Sequence, residues 1–437
     1  MKNAFIFIFV PILFISVQHS ASAQFGGLGK KLKQAAEKAV EKEIFGEEEV
    51  PDTPDVPGSK PENNNPSSVK GKKLSPPDIN LLITDANVAY NNNKYSDARY
   101  HVKEAIKGVE LEIGYKILEE MPTSAAGLNY QKENDGVVSY GLGFAGLIIT
   151  RTFEGSGQNV SATVGNNSAL SASYGYLINS GYAANDGNSK PVSIQGYRGN
   201  MQFDGNNTYT VALPFAQSSV FVLECSGFSD ENEVESAVAD FDIKAFEDLL
   251  ADSGSESNNE GDAGAYIASA DSKYGNADLE GARFELQRSL VELDLLIGKK
   301  VLEMLPSTMD GLDANPNADD YIANSGGFAG VFVERAWGNT TDNQIQFSLM
   351  DDSPMMAMVS QFINNPMMMG MSGKKSVKID GYKGMIEVND DSENGEITIN
   401  IPNNQSMLTL SFYGKSENDA LQLANQIPVG DIFALIR

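Results

Sequence analysis

Residues 98–117 read ARYHVKEAIKGVELEIGYKI, and residues 282–301 read ARFELQRSLVELDLLIGKKV. In both stretches apolar residues recur at steps of three and four, which predicts a long amphipathic helix in each. The two stretches match position for position at an offset of 184, without an insertion. Self-similarity of this kind indicates one structural unit present twice in the chain.

The match continues on both sides of these helices. The motif Gly-Phe-Ala-Gly at 143–146 recurs at 327–330, and Ile-Gln-Gly-Tyr-Arg-Gly at 194–199 corresponds to Ile-Asp-Gly-Tyr-Lys-Gly at 379–384. Small insertions in loops explain why the offset drifts along the chain. We expect two tandem copies of one domain that each bury their own core. The predicted copies are 79–250 and 264–437, joined by a polar linker at 251–263.

Each copy begins with a predicted helical hairpin, and its later part changes to short β-rich runs separated by turn residues. The fold class is therefore α+β, with an antiparallel sheet of about five strands and covering helices in each copy. In the first copy the hairpin helices are predicted at 79–90 and 95–121, and the strands at 144–152, 159–164, 192–194, 201–203, 208–213 and 220–224. Further helices are predicted at 169–178, 231–250, 355–363 and 416–436, the last with a break near Pro428.

Small and aromatic residues surround the first helical turn in the pattern Ala86, Tyr90, Tyr95, Ala98 and Ala105. This pattern resembles a single helical hairpin of the tetratricopeptide family. A tetratricopeptide array stacks several such units, whereas here predicted strands follow the hairpin. We therefore expect the hairpin to pack on a sheet.

The N-terminus has the features of an export signal. A positive charge, an apolar run at 4–17 and small residues before position 24 predict a secretory signal peptide, cleaved after Ala23. Next come a short amphipathic helix at 24–46 and a linker at 47–78 that contains seven prolines. We predict a periplasmic or secreted bacterial protein with no transmembrane span after cleavage.

Composition restricts the chemistry and the partners. The net charge is −27, which opposes binding to nucleic acid or to anionic lipid. After cleavage the only histidine is His101 and the only cysteine is Cys225, so clustered His/Cys metal sites are excluded and no cofactor is predicted. His101 matches Glu285, which suggests a solvent-exposed helix face. Cys225 ends an apolar run and is expected to be an inert core residue.

Residues at matching places in the two copies are candidates for ligand binding. Arginine can clamp a carboxylate that belongs to a ligand or to the protein itself. In so acidic a chain we favour internal partners, for which Glu119 and Glu303 are available, and an anionic ligand is the alternative. Glycines beside the two tyrosines also indicate a tight strand connection. The six candidates are Arg99, Arg283, Arg151, Arg335, Tyr197 and Tyr382.

A methionine-rich segment is the candidate metal site. Thioether clusters can bind Cu(I), but the first copy fills the matching place with ordinary apolar residues. This favours a core or lid, with a contact surface for protein or lipid and a copper site as the alternatives. The candidate ligands are Met355, Met356, Met358, Met367, Met368, Met369 and Met371.

The segment Asp-Asp-Ser-Glu-Asn-Gly at 390–395 resembles the start of a calcium loop. Its twelfth position is Ile401, so the bidentate acid that closes such a loop is missing. The segment is better interpreted as a hairpin turn.

No group of residues forms a recognisable catalytic constellation. We expect a non-enzymatic, exported binding or scaffold protein that contacts another protein or an envelope component. Two alternatives stay open: an enzyme with a site made of carboxylates and tyrosine, and a methionine-rich copper or lipid carrier. An enzyme should have acidic residues at matching places in both copies, and Glu119 with Glu303 is such a pair.

Overall fold

Helices precede and follow each of two antiparallel sheets. The structure, a computed structural model, describes residues 77–139, 146–166, 188–215, 219–251, 261–323, 330–340, 343–351, 375–389, 394–401 and 406–437. These residues all belong to one unit, Glu62–Arg437. The helices are α1 (Ile79–Asn91), α2 (Tyr95–Glu120), α3 (Glu231–Ala239), α4 (Ile243–Leu250), α5 (Ala263–Gly275), α6 (Leu279–Met304), α7 (Glu417–Ala424) and α8 (Val429–Ile436).

Local signals in the sequence begin and end the first helices of each half. Asp78 and Asp262 cap α1 and α5, because their side chains accept hydrogen bonds from N–H groups of the first turn. The connections to the next helix each contain one left-handed residue, Asn93 with φ +58° and Ala277 with φ +62°. The long helices end just before Pro122 and Pro306, where a further helical turn is disfavoured.

The first sheet has nine strands in the order β1-β2-β4-β5-β9-β8-β7-β6, with β3 paired to β4. Each pairing in it is antiparallel. Its strands are β1 (Ser124–Ala125), β2 (Leu128–Tyr130), β3 (Gly136–Ser139), β4 (Leu147–Gly155), β5 (Gln158–Gly165), β6 (Ser189–Ile194), β7 (Tyr197–Phe203), β8 (Thr208–Phe215) and β9 (Ser219–Ser226).

The second half contains a two-stranded sheet and a seven-stranded antiparallel sheet in the order β12-β13-β14-β18-β17-β16-β15. Strands from residues 124–226 and from residues 320–412 do not pair with each other within the described parts of the chain. The strands are β10 (Thr308–Met309), β11 (Leu312–Asp313), β12 (Asp320–Ala323), β13 (Val331–Thr340), β14 (Asn343–Asp351), β15 (Lys375–Ile379), β16 (Tyr382–Asn389), β17 (Asn394–Ile401) and β18 (Ser406–Phe412).

The predicted class, helices combined with antiparallel sheets, is confirmed, but the predicted number of strands is wrong. The sheets contain nine and seven strands instead of about five. Most of the missed strands have two to four residues, too few to produce a readable alternation of apolar and polar side chains. The predicted helix at 231–250 is two helices, because Asp242 caps a new one at Ala245 N. The helices predicted at 169–178 and 355–363 lie outside the described residues.

The helices of the two halves pack against each other as well as on their sheets. Helix α2 lies on the first sheet and α6 on the second, while α2 contacts α6 and α1 contacts α5. Consequently Leu286 and Leu293 of α6 belong to the hydrophobic core of the first half, and Tyr95 of α2 packs against the core of the second. Among the described residues, no helix has the length and apolarity that a membrane crossing requires.

Candidate functional site

Arg151 and Arg335 fasten the end of a long helix to the neighbouring sheet. Arg151 makes a two-pronged ion pair with Asp135, with nitrogen to oxygen distances of 2.9 and 2.6 Å, and also donates to the carbonyl of Met121 at 2.9 Å. Arg335 pairs with Asp319 in the same manner, at 2.9 and 2.5 Å. Its remaining nitrogen donates to two carbonyls at the end of α6, at 2.9 and 3.2 Å.

These contacts correct the choice of partners made from the sequence. Glu119 and Glu303 are exposed and form no ion pair with the candidate arginines in the described structure. The partners are Asp135 and Asp319, which lie just before β3 and β12, because a strand arginine meets the helix at its end, where unpaired carbonyls lie. The guanidinium therefore satisfies both a carboxylate and the carbonyls that a helix leaves without donors.

Tyr197 and Tyr382 hold the last helix of each half against the sheet. The Tyr197 hydroxyl donates to Glu247 of α4 at 2.8 Å, and burial together with this carboxylate raises the pKa of Tyr197 to about 12. The ring of Tyr382 meets Phe433 of α8 edge to face, with centroids 4.8 Å apart. Their glycine-rich motif is the tight connection expected from the sequence, since Gln195 and Asp380 precede them with positive φ.

The residue before the first glycine of this motif also caps the last helix. Gln195 Oε1 accepts from the N–H of Ile243, 3.4 Å away, and Asp380 Oδ2 accepts from the N–H of Gly430, 2.7 Å away. The last glycine of the motif lies against the adjacent strand. A Cβ placed on Gly199 would come within 2.0 Å of a backbone oxygen, so only glycine fits there. The repeated motif thus joins a β-turn, a strand contact and a helix cap.

Arg99 and Arg283 differ from the other candidates because they join the two halves. The Arg99 cluster comprises Arg99, Asp294, Asp351 and Ser406. Arg99 on α2 is buried, with Nε 2.8 Å from Asp294 of α6 and Nη1 2.5 Å from Asp351 at the end of β14. Ser406 donates to the other oxygen of Asp351. Each of these partners of Arg99 belongs to the second half.

The Arg283 cluster comprises Arg283, Glu280, Glu110 and Ser139. Arg283 on α6 pairs with Glu280 of its own helix at 2.8 Å, and its Nη1 lies 3.9 Å from Glu110 of α2. Glu110 is fully buried and accepts a hydrogen bond of 2.5 Å from Ser139 in β3. A guanidinium of the second half therefore faces a carboxylate of the first.

The two clusters are reciprocal. Arg99 matches Arg283 and Glu110 matches Asp294, in each case at an offset of 184, so each long helix presents one arginine and one acid to the other helix. A second pair of reciprocal contacts between the halves consists of tyrosine hydrogen bonds. The Tyr90 hydroxyl of α1 donates to Asp262 before α5 at 3.2 Å, and the matching Tyr274 of α5 donates to Glu112 of α2 at 3.0 Å.

Lys103 is a titratable group of this junction whose pKa is shifted. It lies half-buried on α2, one turn after Arg99. Burial, followed by the positive charge of Arg99, lowers the pKa of Lys103 to about 7, although Asp294 and Asp351 oppose the shift. Burial also raises the pKa of Asp294 above its ordinary value. The junction therefore contains an amine and an acid whose charged forms are disfavoured by burial.

The expectations for the lone histidine and cysteine have different outcomes. His101 is half-buried with its ring edge on Tyr100, and the matching Glu285 is fully buried 3.7 Å from Lys273. The exposed helix face inferred from Glu285 is therefore wrong, because α5 covers that side of α6. Cys225 lies in the core, where burial raises the pKa of its thiol to about 12, so it is an inert core residue as expected.

Two further candidates lie partly or wholly outside the described residues. The methionine segment at 355–371 is outside them entirely. The acidic segment at 390–393 is also outside, but Asn389 of β16 is paired opposite Asn394 of β17 across it. This register is that of an antiparallel hairpin, the interpretation favoured from the sequence.

The sequence interpretation missed the acids that complete the junction. Glu110 and Asp294 match at an offset of 184. Each lies between two apolar residues, and its position in the helix resembles that of a solvent-exposed acid. Asp351 is the last residue of β14 and has no acidic counterpart, because Asn166 takes the matching place and accepts the N–H of Leu147 instead. A search for matching acids along the helices could have found the first two.

Comparisons with known proteins add no family assignment. No family model matches the sequence, and no curated protein matches it. A solved structure, DynU16 from the dynemicin biosynthetic locus, is 8% identical over 76% of this chain and 92% of its own. Its TM-score is 0.11, too low to support any inference about fold or function.

Proposed function

We propose that this chain is an exported, non-catalytic scaffold built from two copies of one domain, which binds another protein or an envelope component. The observation that carries the proposal is the reciprocal exchange of arginines and acids between α2 and α6. Buried ion pairs favour one geometry, since a displaced partner leaves an uncompensated charge. The exchange therefore holds the two sheets in one arrangement.

The case for duplication combines sequence and contacts. The match at offset 184 covers the helical core and also two equivalent ion pairs, Arg151 with Asp135 and Arg335 with Asp319. Two unrelated domains would not be expected to repeat such a set of polar contacts. We infer that the copies were once equivalent and that their helices now form a shared layer.

Two copies in a fixed relation suit a protein that contacts a partner twice. The second contact is then intramolecular, so the overall affinity can exceed that of one copy by about 10²–10⁴ without any new contact. This advantage depends on geometry and is lost if the copies cannot engage together. The signal-like N-terminus and the acidic charge favour a neutral or cationic partner outside the inner membrane.

The experiment is capture of partners from envelope extract and culture fluid by mature protein, residues 24–437, with a reversible cross-linker. The proposal expects a partner that is enriched over a beads-only control and is retained less by Arg99→Met. The matched control is Arg198→Met, which removes an exposed arginine of the first half. Failure to enrich any partner, or equal retention by the Arg99 variant, would contradict the scaffold proposal.

One observation favours an enzyme as the second candidate. An amine with a pKa of about 7 is about half neutral at pH 7, and such lysines act as nucleophiles or bases. If Lys103 has this role, an amine-reactive reagent at pH 7 should label it faster than the exposed Lys116 of the same helix. Labelling of Lys103 no faster than of Lys116 would remove this candidate.

A further inference from the structure

Edge strands expose unpaired backbone groups, and three edges in this molecule differ in how they are protected. Proteins protect such edges with lysine, proline or very short strands. The outer strand of the first sheet, β6, contains Lys190 and Pro191. The outer strand β15 of the second sheet contains Lys375 and Lys378. The opposite edge of the second sheet is β12, which is short, at four residues, but has neither lysine nor proline.

Strand β12 exposes apolar side chains on both sides of the sheet. Tyr321 is 39% exposed and Ile322 is 44% exposed, both among the most exposed large apolar residues of the described chain. Helix α6 supports the strand from one side, since Tyr321 lies against Gly298. Neighbouring residues in a strand point to opposite faces, so Ile322 lies on the face away from α6.

One side of the β12 backbone has no hydrogen-bond partner among the described residues. Within the described parts of the chain, residues 320–323 form backbone hydrogen bonds only in the antiparallel ladder with β13. A strand added at this edge would therefore find unused N–H and C=O groups. Because α6 packs on one face of β12, the edge is already ordered before a partner arrives.

Two carboxylates lie side by side at this edge and favour a cationic partner. Asp320 lies directly opposite Glu334 of β13, and neither carboxylate has an ion-pair partner in the described structure. Like charges directly opposite each other destabilise a sheet. Burial and the charge of Asp320 raise the pKa of Glu334. A cationic side chain placed beside them would relieve this repulsion.

We propose that the β12 edge binds an extended segment of a partner protein as an added antiparallel strand, with basic side chains beside Asp320 and Glu334 and apolar ones beside Ile322. The proposal names the partner contact of the scaffold described above and so rests on that function. A second copy of this chain fits poorly, because its own β12 would bring another Asp320 to an already acidic edge.

The matching strand of the first half provides a control. β3 corresponds to β12 at an offset of 184, but its residues Val137 and Val138 are half-buried and Ser139 is bonded to Glu110. No acidic residue matches Asp320, since Gly136 takes its place. The first half should therefore not bind a basic strand.

The test measures, by anisotropy, the binding of a fluorescent peptide of about nine residues in which lysine and valine take turns at every second position, with threonine between them. Asp320 and Ile322 lie on the same face of the sheet, so one face of the peptide must carry both lysine and valine. We expect saturable binding to the mature protein, and an affinity at least about tenfold weaker for Ile322→Lys, a substitution that protects the edge as natural lysines do. The matched variant Val138→Lys should bind as the wild type does. A peptide with glutamate in place of lysine should bind more weakly, and Asp320→Asn should reduce this preference.

Circular dichroism and thermal unfolding must first show that both variants are folded. Absence of peptide binding, or equal binding by Ile322→Lys, would overturn the proposal, as would a dimer of the wild type that Ile322→Lys dissociates. Partner capture distinguishes the two proposals. If Ile322→Lys still captures the envelope partner, the strand-addition proposal fails while the scaffold function stands. If the peptide binds but no partner is captured, the scaffold function fails.

Discussion

The Arg99 cluster and the Arg283 cluster occupy matching places, yet they join the halves with unequal contacts. Both close carboxylates of Arg99 belong to the other half, at 2.8 and 2.5 Å. Arg283 has its close carboxylate on its own helix, at 2.8 Å, and reaches the other half at 3.9 Å. Arginines at matching places can thus both lie at the junction while their partners differ. The comparison predicts unequal effects of equivalent substitutions.

The largest effect is expected for Arg99→Met. The substitution leaves Asp294 and Asp351 buried without their cation, and breaking a buried pair typically costs about 3–5 kcal/mol. Urea unfolding should show this loss both by far-UV circular dichroism and by fluorescence of Trp337, the single tryptophan, which lies in the second half. A loss no greater than that of the exposed Arg198→Met control would contradict the assigned role of Arg99.

Arg283→Met should destabilise the protein less, by about 1–3 kcal/mol. Its cross-half partner Glu110 retains the hydrogen bond from Ser139, and Glu280 is a neighbour on the same helix. The same urea experiment measures the difference from Arg99→Met. If the two arginine variants lose equal stability, the clusters are energetically equivalent and the unequal distances have no consequence.

The smallest effect concerns Lys103, whose counterpart in the second half is the neutral Gln287. Since the pKa of Lys103 falls from 10.5 to about 7 in the folded state, the unfolded chain binds more protons between these pH values. The Lys103 contribution to the free energy of unfolding therefore rises with pH across this interval. Lys103→Met should remove the rise and add on the order of 1 kcal/mol near pH 7, allowing for partial exposure.

The control for this prediction is Lys107→Met on the same helix, where Lys107 is half-exposed and paired with Glu104. Urea unfolding at several pH values between 7 and 10 provides the measurement. An unchanged pH slope in Lys103→Met, or the same change in both variants, would show that burial of Lys103 does not affect stability.

Much of the secondary structure could be predicted because its signals are local. The helix registers of 98–117 and 282–301 and the turn before Tyr197 follow from spacing and glycine chemistry. The junction could not be predicted, because the match at offset 184 shows that Arg99 and Arg283 have similar surroundings but not which half supplies their partners. Pairing across halves joins residues far apart in sequence, and no local signal marks it.

The candidate site shows the same limit. The sequence indicated six positions as candidates for ligand binding, which stays a prediction, and the structure gives internal contacts to each. It did not identify Asp135 and Asp319, which lie in short loops without a helical or strand pattern. Nor could it show that Glu285 is buried, since α5 covers it through tertiary packing rather than through periodicity.

The central claim is that the reciprocal ion pairs make the two halves one structural unit. Hydrogen exchange of Arg99→Met, followed by mass spectrometry of peptides from α2 and α6, tests it most directly. If the claim holds, one substitution in α2 lowers the protection of both helices by the same free energy, because they open together. Loss of protection in α2 alone, with α6 as protected as in the wild type, would contradict it.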